Sequence, residues 1–201
     1  MDKKPEIVVF AGPNGSGKST LTELLKPKMD YINADEIKKY LKCSDIEAAR
    51  EAERQRESHL LSMEDFCFET VLSTDRNLNL LKRAKDMGYF IRCYYVFTTN
   101  PEINMIRVRF RIESGGHSVP EDKIASRYYK AFDLAKEVVA ISDICHIYDN
   151  SQEKPRRFFK KAKRGSYFES CIGWNKEKIS ALTGITDMQE DELNRLEKNI
   201  P

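Results

Sequence analysis

The chain has 201 residues, 40% hydrophobic and 33% charged, which is typical of a single globular domain with a heavily charged surface. The 34 basic and 32 acidic side chains leave a formal charge of +2, so the composition gives no global argument for binding nucleic acid or an acidic membrane. No apolar run approaches the roughly 20 residues of a membrane span. No signal-type stretch follows the first residues, and we expect no membrane contact.

In chain order, strand-like and helix-like patterns alternate over the first 150 residues. Short β-branched or aromatic runs predict strands, and apolar residues three or four apart predict helices. The predicted strands are 7–10, 31–33, 66–68, 90–97 and 144–148. The predicted helices are 19–25, 44–61, one from Ser73 or Thr74 to Gly88, one after Asn100 with the apolar stripe Ile103, Ile106 and Phe110, and 120–138. This alternation predicts an α/β fold built from right-handed parallel βαβ units.

The tail departs from that alternation. Residues 156–160 and 167–171 flank Arg164-Gly165-Ser166, which predicts a hairpin, and 186–199 predicts a terminal helix. We therefore divide the single domain into a core at 1–155, with a lid around 105–130, and an appended hairpin and helix at 156–201. Residues 154–164 hold seven cations with two phenylalanines among them. This pattern favours an edge hairpin protected by lysines, and it leaves nucleic-acid binding open.

The cysteines indicate a reducing compartment. All five lie far apart and none forms a C-x-x-C pair, so neither a zinc site nor a disulfide framework is predicted. Cys67, Cys93 and Cys145 lie in apolar runs and are expected in the core. The expected location is the cytoplasm.

One motif carries specific chemistry. The pattern G-x-x-x-x-G-K-[ST] lies between a predicted strand and a predicted helix, and it predicts a loop that binds the phosphates of a nucleoside triphosphate. Its residues and the following threonine are Gly12, Pro13, Asn14, Gly15, Ser16, Gly17, Lys18, Ser19 and Thr20. In such a loop Lys18 reaches the β- and γ-phosphates, and Ser19 ligates a magnesium ion.

Three carboxylates follow predicted strands, at Asp35, Glu69 and Asp149. The carboxyl ends of parallel strands meet at one sheet edge, so we expect all three near the phosphate loop. Asp35 can act as general base, can hold magnesium through water, or can cap a helix at 36–40. Glu69 can act as a Walker-B-like acid or bind substrate, with Thr70 and Ser73 as neighbouring hydroxyls.

The segment around 105–130 has the pattern of a lid. Arg107 and Arg111 share a helix face, Arg127 lies on the next helix, and Gly115-Gly116 forms a hinge between them. Arginines on such a lid stabilise charge on a transferring phosphoryl group, whereas solvated arginines on an ordinary helix pair are the alternative. His117 either contacts the substrate or orders its loop. Transporter ATPases and GTPases are disfavoured because L-S-G-G-Q and N-K-x-D are absent.

Together these segments resemble the zeta toxin-like family of P-loop kinases. The segments that carry the likeness are 12–20, Asn33-Ala34-Asp35-Glu36, Phe68-Glu69-Thr70-Val71-Leu72-Ser73, Gly115-Gly116-His117-Ser118-Val119-Pro120 and Tyr148-Asp149-Asn150-Ser151. The likeness covers residues 5–152, and the tail past residue 155 has no family motif. The loop sequence and the Gly-Gly-His lid are typical of a shorter branch of the family.

The resemblance implies a P-loop kinase-type fold with a five-stranded, mainly parallel sheet, and ATP with Mg²⁺ as the phosphate donor. It implies Asp35 as general base and Lys18, Arg111 and Arg127 as the residues that neutralise the phosphates. Glu69 and Thr70 would hold the acceptor. It also places Asn150 near the adenine.

The resemblance further implies an acceptor and a partner. The acceptor is a small-molecule hydroxyl, which is a UDP-N-acetyl amino sugar in the characterised zeta toxins, and the partner is an antitoxin protein. Two other functions remain open from the residues: a nucleic-acid-directed ATPase or polynucleotide kinase that uses residues 154–164, and an ATP-binding regulator that transfers nothing.

Overall fold

The computed structural model describes residues 3–113 and 119–190. The strands are β1 (Glu6–Ala11), β2 (Asp30–Ile32), β3 (Phe66–Thr70), β4 (Phe90–Phe97), β5 (Ile144–Asp149), β6 (Arg156–Ala162), β7 (Gly165–Phe168) and β8 (Gln189–Glu190). The helices are α1 (Lys18–Leu25), α2 (Ala34–Leu41), α3 (Asp45–Ser62), α4 (Asp75–Asp86), α5 (Pro101–Glu113), α6 (Glu121–Ile141) and α7 (Lys176–Thr183).

The strands form one sheet in the order β2-β3-β1-β4-β5-β6-β7-β8. The first five strands pair in parallel, which confirms the predicted α/β class and the five-stranded parallel sheet. β6 and β7 then add antiparallel strands, and β8 pairs parallel with β7. The predicted hairpin therefore extends the sheet at the β5 edge instead of standing apart from it.

β1 lies in the middle of the parallel part, between β3 and β4. Its residues Ile7 to Ala11 are all buried, because a central parallel strand is covered on both faces. The larger core lies on one face, where α3, α4 and α6 pack over residues such as Phe66 and Tyr95. This packing fixes the carboxyl end of β1, and with it the loop at residues 12–17.

Helix boundaries follow local capping chemistry. The predicted capping box of α3 is present, with Ser44 accepting from the Glu47 amide and Glu47 accepting from the Ser44 amide. α4 ends at Asp86, just before the predicted stop at Gly88, which has a φ of +93°. These signals lie within a few residues of one another in sequence, so they can be identified before the fold is known.

The tail differs from its prediction in two ways. α7 is not predicted from the sequence, although Asn175 caps it by accepting from the Lys178 amide at 2.9 Å. The helix predicted at 186–199 is wrong over its described part, because Gln189 and Glu190 pair with β7 as a strand. An open edge of the sheet offers backbone hydrogen bonds that outweigh weak helix propensity. Residues 191–201 lie outside the described residues.

The sequence predicts buried cysteines and apolar runs shorter than a membrane span. All five cysteines are free thiols, and Cys67, Cys93 and Cys145 are fully buried, as predicted. In the part of the chain that the structure describes, no helix is both long and apolar enough to span a bilayer.

Candidate active site

The phosphate loop connects β1 to α1. Gly12 has a φ of +145°, and a Cβ there would lie 2.1 Å from the Val96 carbonyl oxygen. Gly17 has a φ of +94°, and its Cβ would lie 2.0 Å from Asn150 Nδ2. Both positions therefore require glycine for conformation and for space. Because α1 begins at Lys18, its free N–H groups and positive dipole end lie at the loop, as in anion-binding helix termini.

Lys18 is folded back over its own loop. Its Nζ donates to the Gly12 carbonyl at 2.8 Å and to the Pro13 carbonyl at 3.0 Å. The pKa of Lys18 is lowered to about 8, chiefly by burial; the charge of Glu69 opposes this shift, the charge of Arg111 adds to it, and the charge of Asp35 opposes it. Arg111 lines the same cavity as Lys18, Glu69 is bonded to the adjacent Ser19, and Asp35 is close enough for its charge to act on the Lys18 ammonium. The fold thus brings four predicted site residues together.

Glu69 is held at the end of β3 by three hydroxyl groups. Tyr31 donates to its carboxylate at 2.7 Å, Thr22 at 2.8 Å and Ser19 at 3.1 Å. Burial raises the pKa of Tyr31, and its hydrogen bond to Glu69 raises it further, so Tyr31 stays a donor. Glu69 therefore lies beside the phosphate loop and is joined to Ser19.

The oxygen atoms of Ser19 and Glu69 fit the chemistry of magnesium, which prefers hydroxyl, carboxylate and phosphate oxygens. Within residues 3–113 and 119–190, no group of three or more His, Cys, Asp or Glu side chains could hold a metal ion. A magnesium ion at Ser19 would therefore take its remaining ligands from nucleotide phosphates and water, as is usual for this ion.

Asp35 is the second residue of α2 and is exposed. Asn33, not Asp35, caps this helix: its Oδ1 accepts from the Asp35 amide at 2.8 Å and the Glu36 amide at 3.4 Å. The capping alternative for Asp35 is therefore wrong, because the helix begins at Ala34, two residues before the predicted start. Within the described part of the chain the Asp35 carboxylate has no hydrogen bond or ion pair, so it is free to accept a proton.

Asp149 is the carboxylate at the end of β5. Its carboxylate accepts from the Ser151 amide at 3.2 Å and from the Ser151 hydroxyl at 2.6 Å, which orders the turn after β5. The Asp149 carboxylate is thus engaged by its own turn, and its proximity to the phosphate loop stays a prediction. Its neighbour Asn150 does reach the loop and donates to the Ser16 carbonyl at 2.8 Å.

The predicted lid consists of α5 and α6. Arg107 and Arg111 line a cavity of about 250 Å³ together with the phosphate loop. Arg127 on α6 donates to Asn14 Oδ1 at 3.2 Å. Arg109 pairs instead with Glu121 at 2.5 Å. Residues 114–118, with the predicted hinge glycines and His117, lie outside the described residues.

Asn104 is a site residue that the sequence analysis misses. It is fully buried, accepts from the Thr98 hydroxyl, and donates from Nδ2 to the Asn14 carbonyl at 2.6 Å. A Cβ on Gly15 would lie 2.6 Å from the Asn104 carbonyl, so α5 packs directly on the phosphate loop. The signal in the sequence is a polar residue four positions before Val108, on the face that the structure buries.

The apolar stripe predicted for α5 is therefore not the face that the helix buries. Ile106 is 50% exposed and Phe110 is 65% exposed, whereas Asn104 and Val108 are buried. Hydrophobic periodicity misleads here, because the inner face of this helix contacts a polar loop.

A second cavity of about 270 Å³ lies between α2 and α3. Its lining residues are Tyr31, Asn33, Glu36, Ile37, Tyr40, Leu41, Glu51 and Gln55. It adjoins the phosphate loop, since Tyr31 bonds to Glu69, which in turn bonds to Ser19.

Thr70 and Ser73, both predicted substrate ligands, do not line that cavity. The Thr70 hydroxyl accepts from the Leu72 amide at 3.0 Å and from Asn77 Nδ2 at 2.8 Å. This turn holds Leu72 at a φ of +52°. Thr70 therefore orders the segment after β3, while Ser73 is half-buried beside it.

The cations of residues 154–164 do not point in one direction. Arg156 pairs with Glu169, and Lys161 donates to the last carbonyls of α6, Val139 at 2.7 Å and Ala140 at 2.9 Å. The Lys161 ammonium thus donates to carbonyls at the C-terminus of α6, where a positive charge is favourable. Alternation along β6 sends neighbouring side chains to opposite faces. These contacts favour a structural hairpin over a single basic surface.

Comparison with known proteins finds solved structures of similar fold at low sequence identity. A scan against protein-family models finds no match. A chain of the complex AvrRxo1-ORF1:-ORF2 with ATP has a TM-score of 0.68 at 16% identity, over 98% of this chain and 72% of that one. A chain from the PezAT chromosomal toxin-antitoxin system of Streptococcus pneumoniae has a TM-score of 0.54 at 19% identity, over 79% and 72% of the two chains.

These structural likenesses show the fold, which is the P-loop kinase fold implied by the resemblance to zeta toxin-like kinases. In sequence, an uncharacterized protein of Haemophilus influenzae is 31% identical over 127 residues, which span 60% of this chain and 91% of that protein. The chain therefore belongs to the family of this Haemophilus influenzae protein.

Proposed function

We propose that this protein is an ATP-dependent phosphotransferase that moves the γ-phosphate to a hydroxyl group of a small molecule. The observation that carries the proposal is the cavity at the phosphate loop, which Lys18, Ser19 and Arg111 line together and beside which Glu69 is bonded to Ser19. A phosphate-loop lysine, a lid arginine and a carboxylate with no partner in the described residues are the parts that phosphoryl transfer needs. The AvrRxo1 complex with ATP, which shares the fold, supports ATP as the donor.

On the donor side, the amides of the phosphate loop and Lys18 bind the β- and γ-phosphates. Ser19 and Glu69 would hold Mg²⁺, which neutralises phosphate charge when it is bound. Arg111 and Arg127 neutralise the phosphoryl group as it transfers, and Arg127 is already tied to the loop through Asn14. Asn150 braces the loop through Ser16.

On the acceptor side, the hydroxyl oxygen attacks the γ-phosphorus from the direction of α2. The bond between the γ-phosphorus and its bridging oxygen breaks, and ADP leaves with that electron pair. Asp35 accepts the hydroxyl proton, which then passes to water. Tyr31 and Glu69 form the wall between the donor site and the cavity of α2 and α3, where the acceptor is bound.

The test is a phosphotransfer screen with γ-labelled ATP against free sugars, nucleosides, UDP-sugars and oligonucleotides. With an accepted substrate, Asp35→Asn should retain ATP binding and lose about 100-fold or more in kcat, the range for removal of a general base. Asp122→Asn, an exposed carboxylate in the first turn of α6, is the matched control. Transfer by Asp35→Asn at the wild-type rate would exclude Asp35 as base.

The same screen separates the other functions. Tight ATP binding with no transfer to any acceptor would favour a regulatory ATP-binding protein. Transfer to oligonucleotide ends, with affinity that falls steeply with salt, would favour a nucleic-acid-directed kinase. Transfer to UDP-N-acetylglucosamine would favour the acceptor that the family resemblance implies.

An inhibitory protein partner belongs to the same proposal. The support is that a similar fold occurs in the PezAT toxin-antitoxin system and in the AvrRxo1-ORF1:-ORF2 complex. If the phosphotransferase acts on a cytoplasmic metabolite, expression of the wild-type chain without its partner should arrest growth, and expression of Asp35→Asn should not. Equal growth of both strains would argue against a toxic activity.

A further inference from the structure

The cavity between α2 and α3 has a charge opposite to that of the donor site. Its lining includes the carboxylates of Glu36 and Glu51 and no lysine or arginine. By contrast, Lys18, Arg107 and Arg111 all line the cavity of the phosphate loop. The two compartments therefore select for opposite charges, an anionic donor on one side and a different kind of molecule on the other.

The two carboxylates are not equivalent. Glu51 accepts from Arg54 Nε at 2.8 Å and from Arg54 Nη2 at 2.7 Å, so its charge is balanced within α3. Glu36 has no ion pair among the described residues and is exposed at the cavity. Its charge reaches the wall of the cavity, since it contributes to raising the pKa of Tyr31. Glu36 thus leaves one uncompensated negative charge at this cavity.

The remaining lining suits a polyhydroxyl ring. Tyr40 is 87% exposed, and Tyr31 and Ile37 add apolar surface on the same side of α2. The Gln55 side-chain oxygen can accept from a ligand hydroxyl, whereas the Gln55 nitrogen donates to Glu51 and the Asn33 side chain is engaged by Tyr31 and the first turn of α2. Aromatic rings with a few polar groups are typical of sites that bind a small ring-shaped ligand.

We infer that the acceptor is an amine-bearing polyhydroxyl compound of the amino-sugar class, with no phosphate group, whose ammonium lies at Glu36. This inference rests on the proposed function, and it differs from the sugar-nucleotide acceptor that the family resemblance implies. If the diphosphate of a sugar nucleotide entered this cavity, the charge of Glu36 would repel it, and no lysine or arginine among the lining residues would offset that repulsion. A protonated amine would instead form an ion pair with the Glu36 carboxylate.

The experiment uses the full chain, Mg-ATP and four related probes: glucosamine, N-acetylglucosamine, glucosamine 6-phosphate and UDP-N-acetylglucosamine. Assays at about pH 6.5 keep the sugar amine protonated. We expect kcat/KM for glucosamine to exceed that for N-acetylglucosamine by about 2- to 5-fold, the size of one partly exposed ion pair. Both should exceed the two phosphorylated probes. A higher kcat/KM for either phosphorylated probe would overturn the inference.

A carboxylate swap tests the assigned contact. Glu36→Gln should remove the preference for glucosamine over N-acetylglucosamine, chiefly through KM. Glu177→Gln, an exposed carboxylate on α7, should leave that preference unchanged. An unchanged preference in Glu36→Gln would rule out the ammonium contact.

Calorimetry separates this inference from the proposed function. If no probe is phosphorylated but glucosamine binds more tightly than glucosamine 6-phosphate, and Glu36→Gln abolishes the difference, the charge selectivity stands and the phosphotransferase proposal fails. If transfer occurs only to a phosphorylated probe, the proposed function stands and the charge selectivity fails.

Discussion

At the scale of residues, Lys18 shows how the loop prepares for an anion. Its ammonium bonds to two carbonyls of its own loop, yet burial still lowers its pKa to about 8. The charged form is therefore less stable here than in water, and a triphosphate would supply the missing counter-charge. Affinity for the nucleotide and the protonation state of Lys18 must be coupled.

This coupling predicts that ATP binding weakens as pH rises above about 8. If neutral Lys18 does not hold the phosphates, the Kd should rise up to about tenfold per pH unit beyond that point, with a proton taken up on binding. Calorimetric titration between about pH 7 and 9.5 in buffers of different ionisation enthalpy measures both quantities. Lys18→Arg, which stays charged throughout, should give a flat profile if it binds ATP. A flat profile for the wild-type chain would contradict the prediction.

The effect of pH on folding stability through Lys18 has the opposite sign to its effect on ATP binding. The folded pKa of Lys18 lies below its ordinary 10.5, so between pH 8 and 10.5 the unfolded chain binds more protons than the folded one. Without ATP, the contribution of Lys18 to the free energy of unfolding should therefore rise with pH across this window. The difference in unfolding free energy between wild type and Lys18→Met measures it. A difference that does not change with pH would show that the pKa is not lowered.

At the scale of elements, α5 joins the lid to the phosphate loop. Its inner face presents Asn104, which links Thr98 at the end of β4 to the carbonyl of Asn14. Arg127 of α6 holds the side chain of the same Asn14. A movement of either lid helix would thus act on one residue of the loop.

Replacement of Asn104 tests this connection. Asn104→Leu keeps the volume but removes the donor of the buried Asn14 carbonyl and leaves the Thr98 hydroxyl only the Asn100 carbonyl, so stability should fall by about 1–3 kcal/mol. ATP affinity should fall by about tenfold, because the loop loses its anchor. Glu102→Gln, exposed on the same helix, is the control and should change neither quantity. Loss of stability with unchanged ATP affinity would show that Asn104 supports the fold alone.

At the scale of the whole molecule, the appended tail is part of the main core. Trp174 is fully buried and stacks on Phe158 with ring centroids 4.3 Å apart. Its ring also lies beside that of Phe97 at the end of β4, with 6.1 Å between the ring centroids. The hairpin and α7 therefore pack against the strand that leads into the lid, and we expect residues 156–190 to unfold together with the core.

Trp174 provides the test of that unity. Trp174→Ala should lower the free energy of unfolding by about 3–5 kcal/mol, as for other buried large-to-small substitutions. Trp174→Phe should cost much less, because the indole N–H has no partner within the described residues and its loss removes no hydrogen bond. Urea unfolding followed by circular dichroism measures both. If Trp174→Ala unfolds in two steps with the core unaffected, the tail is an independent unit.

The sequence alone determined what local chemistry controls. The phosphate loop, the capping box at Ser44, the five parallel strands and the strand-end positions of Asp35 and Glu69 all follow from motifs or periodicity within short segments. Spacing along the chain was sufficient in these cases, because backbone conformation and capping depend on near neighbours.

Only the tertiary structure decided which of these side chains meet. Asn33 rather than Asp35 caps α2. The Asp149 carboxylate accepts from the Ser151 hydroxyl. The buried face of α5 is the one that carries the polar Asn104. That Glu36 has no ion pair among the described residues is likewise known only from the packing of α3 beside α2. Such outcomes depend on residues far apart in sequence, because an interaction between two side chains is fixed by the packing of the elements that carry them and not by the pattern of either one.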